Sequence, residues 1–244
     1  MDRDAILREL GLGPIWKLRQ AAQAATAAMP HGDPMPRESS PRPARSDPAT
    51  TDDDVEGMDW DALATTVAAC RKCRLCERRK QAVLGVGDRN ADWLFVGEGP
   101  GADEDEKGEP FVGQAGKLLD AMLAAIDLKR GDNVSIANVL KSRPPGNRNP
   151  EPDEVAACRP YLLAQIDLIQ PKLIVALGRF AAQSLLDTDE AIGRLRGRVH
   201  RFQNLPLVVT YHPAYLLRNL PDKARAWEDL CLARRTMQTL APSR

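Results

Sequence analysis

From Met58 onward, two kinds of apolar block alternate along the chain, separated by polar and glycine-rich stretches. The runs "DWLFVGE", "NVSIANVL", "KLIVALG" and "LPLVVTYHP" are short and continuously apolar, as expected of strands buried on both faces. Between them lie segments with helical spacing: "WDALATTVAACRKC", "AGKLLDAMLAAID", "RFAAQSLL" and "KARAWEDLCLARRTMQ". A longer one, "EPDEVAACRPYLLAQIDLIQ", opens with acidic residues and Pro152, which suits a helix N-terminus. Strand and helix in turn predict an α/β fold, a three-layer α/β/α sandwich around a mostly parallel central sheet. Ligands in such folds bind beyond the carboxyl ends of the strands. The segments "GEGPG", "NVLKSRPPGNR" and "YHPAYLLR" fall there.

Ahead of this alternation the pattern breaks down. Residues 20–57 are rich in Pro, Ser and Asp and cannot bury a core, so they read as a disordered linker. Residues 1–19 carry Ile6, Leu7, Leu10, Ile15 and Trp16 at spacing compatible with one short helix, either a frayed tail or a docking peptide. The folded domain is then expected over residues 58–240.

Composition narrows the setting. With 43% hydrophobic and 28% charged residues the chain can build one sizeable core, and its formal net charge of zero leaves polyanion binding to local patches. Two such patches exist: Arg71 to Arg89 and Ala191 to Asn219 each carry a net charge of +5. No apolar run approaches the roughly 18 residues of a membrane span, and "MDRDAILREL" lacks the features of a signal peptide. The expectation is a cytoplasmic monomer with reduced thiols, in which clustered cysteines point to metal.

Four groups of residues carry candidate chemistry. In "GEGPGADEDEKGEPFVG", the glycines, among them Gly99, permit close backbone approach to a ligand. Glu98 and Glu104 are suited to orienting a water, and Phe111 to stacking on a flat ring, although acidity alone favours a solvated loop. Asn138, at the end of its strand, offers donor and acceptor together, the pair that reads a pyrimidine edge. The loop "RPPGNRNP" presets Asn147 and Arg148 between prolines. His212 follows an apolar strand in a chain with three histidines, a place suited to stabilising charge on a leaving group. Cys70, Cys73 and Cys76 form Cys-x2-Cys-x2-Cys, which suits the start of an iron–sulfur run or, less completely, zinc. Cys158 lies far downstream, and Cys231 reads as a buried apolar residue of the last helix.

Seven motifs in register, "CRKCRL", "GEGPG", "GEPFVGQAGKLL", "NVLK-RPPGNR", "CRPYLLAQI", "PKLIVALG" and "HPAYLLR", resemble the iron–sulfur (family 4) uracil-DNA glycosylases over about Cys70 to Leu232. The resemblance implies an enzyme that flips deoxyuridine out of single- or double-stranded DNA and hydrolyses its N-glycosidic bond. Gly99 would then face the uracil with backbone, Phe111 would stack on it and Asn138 would read its edge. Glu98, Glu104 and Asn147 would position or activate the water, and His212 would stabilise the departing anion. Arg143, Arg148, Tyr215, Leu216, Leu217 and Arg218 would meet DNA, the leucines as a wedge. Lys141 stands at a strand end and Lys107 in an acidic loop, neither suited to attack the sugar, so no lyase step is expected.

The resemblance also implies a [4Fe–4S] cluster held by four cysteines. Cys70, Cys73 and Cys158 match, but the fourth position holds Ser142, at the family's spacing from Cys158. Three outcomes follow from the chemistry: ligation by the serine alkoxide, replacement by Cys76, or a labile or absent cluster. Two other functions are weighed beside the enzyme. A DNA-binding accessory module would bind uracil-DNA without releasing the base, and a redox sensor's activity would track its cluster. In each case the N-terminal segment is a possible contact for a repair or replication partner.

Overall fold

Every long apolar run forms a strand, and each stops where the sequence turns to glycine, proline or charge. Residues 55–240 are described by the structure, a computed structural model; the expected segment 1–19 and all but the last three residues of the expected linker 20–57 lie outside them. In chain order the elements are α1 (Trp60–Ala69), β1 (Gly85–Gly87), β2 (Trp93–Gly97), α2 (Ala102–Lys107), α3 (Gln114–Ala124), β3 (Val134–Asn138) and α4 (Pro152–Ile169). They continue with β4 (Leu173–Leu177), α5 (Arg179–Leu186), α6 (Ile192–Leu195), β5 (Val199–Phe202), β6 (Leu205–Thr210), α7 (Pro213–Leu216) and α8 (Lys223–Leu240).

Six strands form one sheet in the order β1-β3-β2-β4-β6-β5. The four inner strands are parallel and each edge strand pairs antiparallel with its neighbour. Alternate strand residues supply the two faces. Phe95, Ile136, Val175 and Val208 pack with Leu119 and Leu123 of α3 and Leu230 of α8. Leu94, Val96, Ile174 and Val209 pack with Leu162 and Ile166 of α4 and Leu185 of α5. Two apolar faces on one sheet require two covering layers, which is the expected α/β/α arrangement.

Differences from expectation have local causes. The edge strands carry little apolar signal: β1 is a lone valine between glycines, and β5 leaves Val199 45% exposed. Gly87 has φ +121, and a Cβ there would lie 2.2 Å from the Val134 carbonyl oxygen, so β1 needs glycine to pair with β3. The acidic stretch after Gly101 is not a solvated loop but the short helix α2. Its Asp105 is buried, and accepts hydrogen bonds from the backbone of Lys80 and Gln81. "HPAYLLR" likewise winds into α7. Cys231 is only partly buried on α8. Val55, ahead of the expected boundary at residue 58, packs in a cluster with Leu63, Val67 and Tyr161. No described helix is long and apolar enough to cross a membrane.

Candidate functional site

A cleft of about 740 Å³ opens where β2, β3, β4 and β6 end, as the parallel topology dictates. Its floor is a close convergence of backbone and side chain. Gly97 pairs with Asn138 across β2 and β3. A Cβ on Gly97 would stand 2.4 Å from Asn138 Oδ1 and 2.7 Å from the Phe111 ring, so only glycine lets these two side chains meet there. Asn138 is buried to 2% exposure, and its Oδ1 has no hydrogen-bond partner. A buried acceptor left unpaired costs on the order of 1–3 kcal/mol, a cost recovered when a ligand N–H arrives.

Phe111 is held beside that amide by a strained backbone. Its φ is +56°, an unusual conformation for an aromatic residue. Arg130 fixes it, donating to the carbonyls of Pro110 and Phe111 at 2.9 Å each while its Nε pairs with Asp120. Gly116 makes room, since a Cβ there would lie 1.7 Å from the Phe111 carbonyl oxygen. The Phe111 ring stacks beside His212, with centroids 5.4 Å apart.

His212 has a defined tautomer. Its Nδ1 accepts the Ala214 N–H at 3.1 Å as the cap of α7, which leaves the proton on Nε2. Burial, with nearby Arg218, pushes its pKa down to about 4, so the ring is neutral at physiological pH. Gly178, with φ +91, allows the approach, because a Cβ there would sit 2.8 Å from His212 Cβ.

The two carboxylates divide sharply. Glu104 accepts from the backbone N–H groups of Gly101, Val112 and Gly113, so it clasps the segment after β2 to the Phe111 turn. Glu98 lines the cleft, and burial raises its pKa to about 7 against the opposing pull of Arg179. Gly99 packs over Leu140, where a Cβ would come within 3.3 Å. Arg179, at the start of α5, is a cleft residue that motif reading missed; its place directly after β4 and Gly178 is the signal that marks it.

The loop after β3 is organised by its own side chains. Arg143 Nε donates to Asn147 Oδ1 at 2.7 Å, and Asn147 is exposed with φ +54°. Arg148 is bound in a fork by the buried Glu154, whose pKa this hydrogen bonding holds below the usual carboxylate range. At the opposite rim Tyr215 donates to Asp222 at 2.6 Å and stacks on Tyr211. Leu216, expected at the DNA face, turns into the core at 1% exposure because it faces inward from the single turn of α7. Leu217 and Leu220 are the exposed pair, at 42% and 61%, and Arg218 is exposed between them.

Behind the cleft lies the cysteine corner. Cys73 is raised to about 11, chiefly by burial, with Cys158 and Cys70 adding repulsion. Cys158 is raised by burial too, with the Lys141 backbone N–H lowering it. These three thiols therefore sense one another, and the Nζ of neighbouring Lys72 is buried without a partner, 5.3 Å from the centre of the Tyr161 ring. The position of Ser142 differs in kind. Its hydroxyl accepts from Arg79 Nη1 at 2.7 Å, while Arg79 Nη2 donates to the carbonyls of Ala68 and Cys70. Cys76 is partly buried, and its N–H donates to the Cys73 carbonyl at 3.4 Å. Among the described residues no three His, Cys, Asp or Glu side chains are arranged to hold a single ion.

Residues 84–231, which contain the whole cleft, match the profile of the Uracil DNA glycosylase superfamily. The chain is 48% identical to the type-4 uracil-DNA glycosylase of Archaeoglobus fulgidus, over 64% of this chain and 82% of that protein. It is 41% identical to the type-4 enzyme of Pyrobaculum aerophilum, over 72% and 93%. With the type-4 enzyme of Thermotoga maritima the figures are 43% identity over 67% and 85%. Matched through its sheet, its glycine-lined floor and its histidine turn, this chain belongs to the uracil-DNA glycosylase superfamily.

Proposed function

We propose that the chain removes uracil from DNA by hydrolysing the N-glycosidic bond. The observation that carries this reading is the buried, unpartnered Oδ1 of Asn138 beside the Phe111 ring over the Gly97 floor. Uracil offers the complement: an N3–H for Oδ1, an O4 for the amide N–H, and a flat face for Phe111. Cytosine lacks the N3–H and presents a donor at the position of O4, so its edge does not pair with this amide.

When the C1′–N1 bond breaks, its electron pair leaves with the base and charge gathers on the ring oxygen O2. Neutral His212, its Nε2–H fixed by the Ala214 contact, is the donor for that oxygen. Water then attacks C1′ and must lose a proton. Glu98, with its pKa near 7, is the better base of the two carboxylates. Glu104 acts as the clasp that sets the distance between the Glu98 segment and Phe111, and Asn147 reaches the cleft from the rim. Extrusion of the base costs a few kcal/mol, for which Leu217 and Leu220 supply the wedge and Arg143, Tyr215 and Arg218 the phosphate or sugar contacts. Arg148, tied to Glu154, serves the loop first.

The cysteine corner fits an iron–sulfur cluster at three positions. Cys70, Cys73 and Cys158 are soft donors whose charges act on one another, and the buried Nζ of Lys72 and the Arg79 guanidinium would offset negative charge. At the fourth position Ser142 gives a hydroxyl already engaged by Arg79. A cluster held by the three cysteines would cross-link the 70–79 segment to α4, with no part in bond cleavage.

The test is release of free uracil from oligonucleotides with one deoxyuridine, single- and double-stranded, beside matched cytosine and thymine controls. Release from uracil DNA alone is expected. Binding without release would favour the accessory-module reading.

A further inference from the structure

Among the described residues one lysine is completely buried, and no step of the excision uses it. Lys141 is 1% exposed, follows β3 by three residues and lies outside the cleft lining. Its Nζ donates to the main-chain carbonyl of Asn138 at 2.6 Å and to Gln165 Oε1 of α4 at 2.5 Å. Gln165, itself buried, passes the link on, with its Nε2 donating to the Leu84 carbonyl at 3.0 Å. The Lys141 main chain also takes part: its carbonyl accepts from Val83 N at 2.8 Å.

Burying an ammonium is costly unless each N–H finds an acceptor. Here the acceptor is the last carbonyl of the strand whose side chain is the cleft's amide. Asn138 ends the β2–β3 ladder, so its carbonyl would otherwise be an orphan in the core. The Lys141 Nζ–H donor fixes that peptide plane, and the plane sets the direction in which the Asn138 side chain leaves the backbone. The following residues are held on the cleft side by Val139 N to Gly97 O and Leu140 N to Glu98 O, each 3.0 Å. Asn138 is thus clamped from two sides, by the glycine segment in front and by lysine behind.

We infer that Lys141 is a positioning residue for base recognition: it aims the Asn138 amide by holding its carbonyl, and ties that aim to α4 through Gln165. This rests on Asn138 being the edge reader of the proposed function. A misplacement of about 1 Å in such a site costs on the order of 10²-fold in rate. Ser142 of the cysteine corner follows it directly, so Lys141 stands where the two regions meet.

A double-mutant cycle tests the inference, because it separates aim from general stability. Lys141→Met should lower single-turnover uracil release about 10- to 100-fold. Affinity for DNA carrying an abasic site should stay within about twofold, since that ligand has no base for Asn138 to read. In an Asn138→Ala background the same substitution should change neither quantity further. Lys141→Gln, which restores a neutral donor, should recover part of the rate. Should Lys141→Met fail to fold, Gln165→Leu loosens the same ammonium from the other side and should give a smaller loss in the same readout. Full additivity in the Asn138→Ala background, or parallel loss of abasic-DNA affinity, would overturn the inference. If Asn138→Ala alone leaves uracil release intact, the edge-reader assignment fails instead, and the two failures are distinguishable.

Discussion

The cleft and the cysteine corner meet at residues 138–142, yet they are built on opposite principles. In the cleft, glycines at 97, 116 and 178 remove side chains so that Phe111, Asn138 and His212 come within contact of one another, leaving an acceptor unpaired. At the corner the Ser142 hydroxyl is engaged as an acceptor, with one guanidinium joining it to the Ala68 and Cys70 carbonyls. Backbone strain and an orphaned acceptor mark the cleft, while the Arg79 guanidinium ties the corner together, although Lys72 Nζ beside it is also left without a partner.

That contrast can be broken most directly at Asn138. Asn138→Ala should cut uracil release by roughly 10⁴-fold, as expected for a site that must pair a ligand N–H. The melting temperature should hold or rise, because the substitution removes an unsatisfied buried acceptor. A melting temperature that falls steeply would mean that the amide is structural. Next in size, His212→Ala should slow release by about 10²- to 10³-fold with little change in DNA affinity, the pattern of a lost donor to a developing anion. An affinity loss alone would make His212 a DNA contact.

Glu98 sharpens the comparison through pH. A base must be deprotonated to act, so with a pKa near 7 the rate of release should fall as pH drops through 7. His212, lowered to about 4, stays neutral over pH 5.5–8 and cannot produce that limb. Glu98→Gln should lower the rate by about 10²-fold and flatten the profile. An unchanged acid limb in Glu98→Gln would place the base elsewhere.

The smallest effect on chemistry is expected at the brace. Arg79→Met removes a charged donor to three acceptors and should cost about 2 kcal/mol of stability. The rate per folded molecule should change little. A large loss of rate at unchanged stability would move Arg79 into the reacting region.

The four inner strands were legible because burial on both faces writes an unbroken apolar run, and the long helix because Pro152 and the acids after it mark its start. The edge strands were not, since β1 is mostly glycine and β5 alternates exposed with buried. The cleft residues Glu98, Phe111, Asn138 and His212 were readable because a parallel sheet gathers its strand ends. Their division of labour was not. Nothing in "GEGPGADEDEK" says that Glu104 is spent on three backbone N–H groups while Glu98 is left to titrate. Nor does "HPAYLLR" say which leucine faces out, because one turn of helix decides it. Arg179 and Arg130 lie outside the motifs that drew attention, and Gly178 closes one that reads only as a strand. Their roles come from contacts between elements distant in sequence.

The account rests on the unpaired Oδ1 of Asn138 awaiting one particular hydrogen. Competition by free uracil and by 3-methyluracil, measured as inhibition of base release, tests that atom directly. Uracil should inhibit, and 3-methyluracil, which has no N3–H and carries a methyl group in its place, should be weaker by about 10²-fold or more. Equal inhibition by the two would contradict the account, because Asn138 would then not read the base through its buried acceptor.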